Sequence, residues 1–475
     1  MKDEDLCYLP ATEMVRRFKA RELSPVEVLK AMIRRAEAVE PEINALSHRF
    51  YEDALRQAKK AETRYLKRQR TRRLEGLPIA IKDETLLKGM PCSSGSLILK
   101  DFVADTTSIE NRRILNAGGI VHARTTTPEF SCAAYTHSKL WGVTRNPWNP
   151  EFTPGGSSGG AAAALSSGTC ALASGSDIGG SIRIPASCCG VVGFKPPYGR
   201  NAADPPFNLD TYCHTGPLAR TVADAILLQN VVSGPHPRDI ASLKPKLTLP
   251  NEYAPIDNWK IAYSLDLGLY EVDDEVRSNT LAALDVFRDL GASVEEVELN
   301  WPPDLLEAGI DHLEHFFGIY IRQYLDEYED LMTDYAREFA LSARDSNAQK
   351  YFHSVEIAGQ MYTSFGTLMQ HYNLFVCPTN ALAAVKAEHD QSKDEVLING
   401  KSVNPILGWV MTLPFNMLSR CPVISLPSGR TAEQLPTGIQ LVGATYRDKD
   451  VFQAAMAFEN AVGAWYADGG IRPDL

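Results

Sequence analysis

The chain has 475 residues, 44% of them hydrophobic and 23% charged, with a formal net charge of −11. That is the make-up of an ordinary globular protein, not a disordered or fibrous one. The acidic balance argues against a nucleic-acid or anionic-membrane partner. No apolar run reaches the ~18 residues that a membrane helix requires, and the N-terminus M-K-D-E-D-L-C-Y-L-P has neither the basic start nor the apolar run of a secretory signal. Nine scattered cysteines without a C-x-x-C pair read as free thiols in a reducing compartment, so the cytoplasm is the expected location.

In chain order, the first clear element is a helix opening at Ser24. Pro25 suits its first turn, Glu27 completes a capping box, and Val28, Met32 and Ala36 follow at helical spacing. The charged stretch Tyr51–Arg73 also predicts helix, as does Ile109–Ala117. Strands are predicted at Leu77–Lys82, Gly119–Thr125, Cys170–Gly175, Lys260–Leu265, Asn373–Pro378, Pro422–Pro427 and Gly438–Gly443. Strands alternating with helices indicate an α/β fold with a largely covered sheet. Residues 304–372 differ: they are helix-rich, with Phe316, Phe317, Tyr320, Tyr324, Tyr328 and Tyr335, and read as packed helices or as a helical cap over a pocket.

Two glycine-flanked serine segments stand out, P-G-G-S-S-G-G (Pro154–Gly160) and S-D-I-G-G-S-I-R (Ser176–Arg183). Gly155–Gly159 fits the G-x-S-x-G pattern of a hydrolase nucleophile elbow at Ser157, but that elbow follows a strand. Here Pro147, Pro150 and Pro154 precede it, which disfavours a central strand. A phosphate-binding P-loop is equally poor, because Ala161 stands where Lys would follow the glycines. Flexible turns would explain one such segment better than two. Lys82 supplies the missing chemistry. A lysine at the end of an apolar strand is ordinarily a solvated edge charge. If buried, it loses its proton readily and can activate a serine without histidine.

The runs G-L-P-I-A-I-K-D, T-R-N-P-W-N-P-E-F-T-P-G-G-S-S-G-G-A-A-A-A and G-S-D-I-G-G-S-I-R-I-P-A-S-C-C-G-V-V-G-F-K-P resemble the amidase-signature family, as do G-P-L-A-R-T-V-A-D-A (Gly216–Ala225), C-P-T, P-F-N and G-I-Q-L-V-G further on. The resemblance covers nearly the whole chain. It implies a single domain, 1–475, with a central mixed twisted sheet covered by helices on both faces. Within it lie an N-terminal helical segment (1–73), a signature core (74–232) and a C-terminal part (259–475) carrying the cap. It also implies a Ser-cisSer-Lys triad: by motif, Ser181 is the nucleophile, Ser157 the relay after a cis Gly156–Ser157 peptide, and Lys82 the base. Ile178, Gly179, Gly180 and Ser181 are the expected oxyanion donors, with Ser158, Asp177 and Arg183 supporting the loop. No metal or other cofactor is implied. Glu84 departs from the many relatives that carry Asn or another small polar residue there.

The implied reaction is acyl transfer from a small-molecule amide, with esters and carbamates open to the same chemistry. Phe130, Tyr135, Trp141 and the aromatic helices suggest an apolar site for neutral, hydrophobic or aryl amides. Two other readings are a glutaminase subunit of a tRNA-dependent amidotransferase, disfavoured because Tyr198-Gly199 leads into R-N-A-A-D, and an inactive binding module, disfavoured because all three triad groups are present. A homodimer is compatible with the sequence. His122, His137, His214 and His236 are isolated, and His312 with His315 lacks a third ligand in any motif, so all read as structural.

Overall fold

The structure is a computed structural model and describes residues 2–467 and 470–475. Eleven strands form one mixed sheet: β1 (Leu46–Arg49), β2 (Pro78–Lys82), β3 (Ile120–Thr125), β4 (Leu172–Asp177), β5 (Val192–Lys195), β6 (His214–Ala219), β7 (Lys260–Tyr263), β8 (Ser293–Glu296), β9 (Leu374–Pro378), β10 (Val423–Arg430) and β11 (Pro436–Val442). Their spatial order is β1-β3-β2-β4-β6-β5-β10-β11-β9-β7-β8. Strand β2 is parallel to both neighbours, β3 and β4, and the β7–β8 and β7–β9 pairs are also parallel; the remaining pairs are antiparallel.

Successive strand residues face opposite sides, and here both sides are buried. In β9, Leu374 and Val376 join one core, while Phe375 and Cys377 join the other. The first core takes Phe452 and Phe458 from the helix Asp448–Val462 and Leu284 and Phe287 from Asp274–Asp289. The second takes Leu305 from the helix Leu305–Leu313 and Ile357, Met361 and Phe365 from Ala348–Leu368. Helices therefore cover both faces, as the α/β reading anticipates.

The helix Pro25–Ile43 begins as its capping box prescribes: Val26 N donates to Ser24 Oγ at 3.0 Å, and Ser24 N donates to Glu27 at 2.8 Å. The next helix ends at Leu66, short of the expected Arg73. Residues 67–73, K-R-Q-R-T-R-R, offer no apolar side chain to bury and crowd like charges, and Arg68 turns to positive φ. Four strands of the sheet, β1, β5, β6 and β8, were not anticipated. Strand β6 contains Pro217, which argues against a central strand; its pairing with β5 ends at Leu218, so the proline meets no ladder partner on that side.

Candidate active site

The side chains of interest gather at the carboxyl ends of the parallel trio β2, β3 and β4, the edge where open α/β sheets bind ligands. Lys82 is the last residue of β2. Ser176 and Asp177 close β4, leading into the Ile178–Ser181 loop. The chain leaving β3 passes through Thr126 to Ser131. Residues 144–156, just before Ser157, contain no strand, and the helix Gly159–Ser166 follows.

Lys82 is fully buried. Its Nζ donates to Ser157 Oγ at 2.7 Å and to Ser176 Oγ at 2.9 Å, and lies 3.3 Å from Glu84 Oε2. Burial strips the ammonium of water and pulls its pKa down; the carboxylate of Glu84 and the more distant Asp177 oppose this. Glu84 in turn accepts from the Ser131 hydroxyl. The Gly156–Ser157 peptide is cis. Ser158 N donates to the Ser181 carbonyl at 3.2 Å, which ties the two serine segments together. Ser181 is 7% exposed and lies on a cavity wall.

Asp177 and Arg183, both fully buried, form a two-pronged ion pair with both contacts at 3.0 Å. Asn416 donates to Asp177 at 2.8 Å, and Arg183 also reaches Thr412 O and Gln440. Burial alone would raise the Asp177 pKa, but Arg183 and Asn416 outweigh it and hold the carboxyl well below its usual range. The charged carboxylate then shapes the loop, accepting from Gly180 N at 2.9 Å and from Ile182 N at 3.3 Å. The expected oxyanion donors therefore differ in their present bonding. The Gly180 N–H is committed to Asp177, whereas the N–H groups of Ile178, Gly179 and Ser181 have no acceptor among the described residues. Gly180 has φ +128°, and a Cβ there would lie 1.9 Å from Thr412 Oγ1, so only glycine fits.

Two cavities adjoin the loop and share Ser131, Ile178 and Phe317 on their walls. The first, about 210 Å³, holds Ser181 and is otherwise mostly apolar, with Ala133, Ile184, Leu313, Phe339 and Leu407. Its roof comes from residues 310–342, within the predicted cap. The second, about 280 Å³, holds Ser157, Ser176 and Glu84. No lysine or arginine is among the residues lining either.

Of the aromatic residues proposed from sequence, Phe130 lines the second cavity. Tyr135 and Trp141 line neither. The Tyr135 backbone packs directly against Gly156, where a Cβ would lie 2.4 Å from its carbonyl oxygen, and its hydroxyl accepts from Gln391 N. Trp141 donates its indole N–H to Ser93 and packs edge-on against His48. Sequence reasoning missed Ser176, although it lies inside a quoted motif, and Ser131, for which no sequence signal exists. Both Phe130 (φ 51°) and Ser131 (φ 61°) adopt left-handed backbone, at roughly 1–3 kcal/mol each. His312 bonds Asp210 at 2.8 Å and stacks on Tyr212, while His315 bonds Ser346, so both are engaged in packing.

Comparison with known proteins supports the same picture. The sequence profile of the Amidase family matches residues 27–452. An acylamidase of Rhodococcus erythropolis is 34% identical over 98% of this chain and 98% of its own. A glutamyl-tRNA(Gln) amidotransferase component from Nostoc punctiforme is 31% identical over 96% of this chain and 98% of its own. The crystal structure of a bacterial aryl acylamidase of the amidase-signature enzymes superposes with a TM-score of 0.89, at 30% identity, covering 96% of this chain and 97% of that one. The strand-end lysine, the paired serine segments and this whole-length similarity agree: the chain belongs to the amidase-signature family.

Proposed function

We propose that this protein is a serine amidohydrolase that cleaves carboxylic amides through an acyl-enzyme on Ser181. The observation that carries the reading is a fully buried lysine whose Nζ lies 2.7 Å from the hydroxyl of Ser157, on the segment bonded to the Ser181 backbone. Ser181 Oγ attacks the carbonyl carbon; its proton passes to Ser157, whose own proton passes to neutral Lys82. The N–H groups of Ile178, Gly179 and Ser181 receive the oxyanion, each donor being worth roughly 3 kcal/mol. Reversal of the relay protonates the departing nitrogen, so the amine leaves neutral. Water then attacks the acyl-enzyme through the same groups, releasing the acid and restoring Ser181.

The apolar first cavity supports neutral, hydrophobic or aryl acyl groups over charged ones, and the same attack applies to esters and carbamates. The glutaminase reading is weaker, since neither cavity wall carries a lysine or arginine for the α-carboxylate of glutamine. Nine unpaired cysteines suit a reducing, cytoplasmic setting. Among the described residues no helix is long and apolar enough to cross a membrane. The test is steady-state hydrolysis of aryl amides, esters and carbamates with fluorophosphonate labelling. Ser181→Ala should abolish both turnover and labelling, and Lys82→Ala should cut amide turnover by about 10²–10⁴-fold. Labelling elsewhere than Ser181, or near-normal turnover in either variant, defeats the assignment.

A further inference from the structure

The second cavity contains more chemistry than the relay requires. Glu110 stands on its wall, 3% exposed, and neither carboxyl oxygen has a hydrogen-bond partner. The nearby cation cannot serve it: Arg113 donates to the carbonyls of Val232, Gly234 and Pro235. Ser108 Oγ and Thr215 Oγ1, on the same wall, are also buried without partners. A buried polar group left unpaired typically costs about 1–3 kcal/mol, so three such groups on residues of one cavity wall point to something that enters and satisfies them.

The character of the wall says what enters. Glu84, Glu110 and Asp204 bring three carboxyl groups, and no lysine or arginine is among the lining residues. Asp204 is already matched, by Arg238 at 3.0 Å and by Ile109 N at 2.7 Å, and Glu84 by Lys82 and Ser131. Glu110 alone is uncommitted. Phe130, Phe207, Phe317 and Tyr320 also line the cavity, and aromatic rings attract a cation.

The relay fixes which half of the substrate meets this wall. The hydroxyl that returns a proton to the departing nitrogen is that of Ser157, which lines the second cavity, whereas the nucleophile Ser181 lines the first. The acyl group therefore lies in the first cavity and the substituent on nitrogen in the second. We propose that the second cavity is a subsite for an amine half carrying a second, protonated amino group, held by Glu110, so that mono-acylated diamines are the preferred amide class. This rests on the amidohydrolase reading and extends it to the leaving group. Hydrolysis of R–CO–NH–R′–NH₃⁺ consumes one water and yields the acid and the diamine, with no other reactant. Burial, helped by the neighbouring carboxylates of Glu84 and Asp204, raises the Glu110 pKa to about 8. An arriving ammonium, together with Glu110's place in the first turn of the helix Ile109–Asn116, favours the ionised carboxylate.

The test uses two hexanamides that differ only in the amine half: N-[4-(aminomethyl)benzyl] and its near-isostere N-(4-ethylbenzyl). The wild-type kcat/KM should favour the ammonium compound by about tenfold or more, the yield of one hydrogen bond to a charged group. In Glu110→Gln that ratio should fall to within about twofold, with thermal melting confirming the fold. Calorimetric binding of p-xylylenediamine against 4-ethylbenzylamine to the wild type reads the same subsite without turnover. A wild-type ratio at or below one, equal binding of the two amines, or a ratio retained in Glu110→Gln overturns the proposal. Preference for the diamine without hydrolysis of either amide would instead support the subsite and sink the amidohydrolase reading.

Discussion

Replacing Glu84 with glutamine tests the electrostatics of the relay. Its carboxylate lies 3.3 Å from Lys82 Nζ. At that separation and an effective dielectric near 20, the attraction is on the order of 5 kcal/mol. Hydrogen bonds from Ser131 and Ser176 draw on the same charge and temper its pull on Lys82. The sign follows from the role of the base. Lys82 must be neutral to accept the proton, so kcat/KM rises with pH through its pKa. Burial lowers that pKa, and Glu84 and Asp177 raise it. Cys213, Ser157 and Ser176, which also face the lysine, are unchanged in the variant. Glu84→Gln keeps the shape and removes the charge, so the acid limb of the profile should move to lower pH. A neutral hexananilide reads this without engaging the second-cavity carboxyls. An acid limb that stays put or moves upward would refute Lys82 as the base.

Three further outcomes can be checked. Asp177→Asn leaves the Arg183 guanidinium buried without its counter-charge and should cost about 3–5 kcal/mol, read from the urea midpoint. Gly180→Ala sets a Cβ against Thr412 at a φ only glycine tolerates; it should remove fluorophosphonate labelling of Ser181 while circular dichroism retains the helical signal. The contribution of Glu459 to stability should decline as pH rises from about 4.5 towards 8, because burial raises its carboxyl to about 8 and the folded state then holds a proton the unfolded chain releases. Glu459→Gln should flatten that decline in denaturation curves taken across the range.

The strands with apolar runs bounded by turn residues, such as Pro78–Lys82 and Leu374–Pro378, were legible because both faces are buried and the pattern is continuous. Strand β6 was not, since His214–Ala219 contains Gly216 and Pro217 and gains its place only from its neighbours. Strand β8, S-V-E-E, is too polar and short to announce itself. At the site, Lys82, Ser157 and Ser181 were readable because each lies in a long motif. Glu84 showed as a departure, and only the fold reveals that its carboxylate reaches the lysine. Ser131 and Glu110 carry no local pattern, and the relation of each to the cavities arises from chain segments far apart in sequence. The same is true of Gly180, whose N–H bond to Asp177 follows from where that carboxylate points.

Glu129 stitches the roof to the floor. Its carboxylate accepts from the Thr333 backbone and hydroxyl on one side and from Ser96 on the other, while its own N–H donates to the Tyr335 hydroxyl. Lifting that corner would break several buried bonds at about 1 kcal/mol or more each, so it behaves as a clasp. The one-turn helix Ile319–Arg322 sends Tyr320 to the wall of the second cavity and leaves Ile319 facing solvent. Substitution along this helix can reshape that wall while the Lys82–Ser157 contact stays as it is.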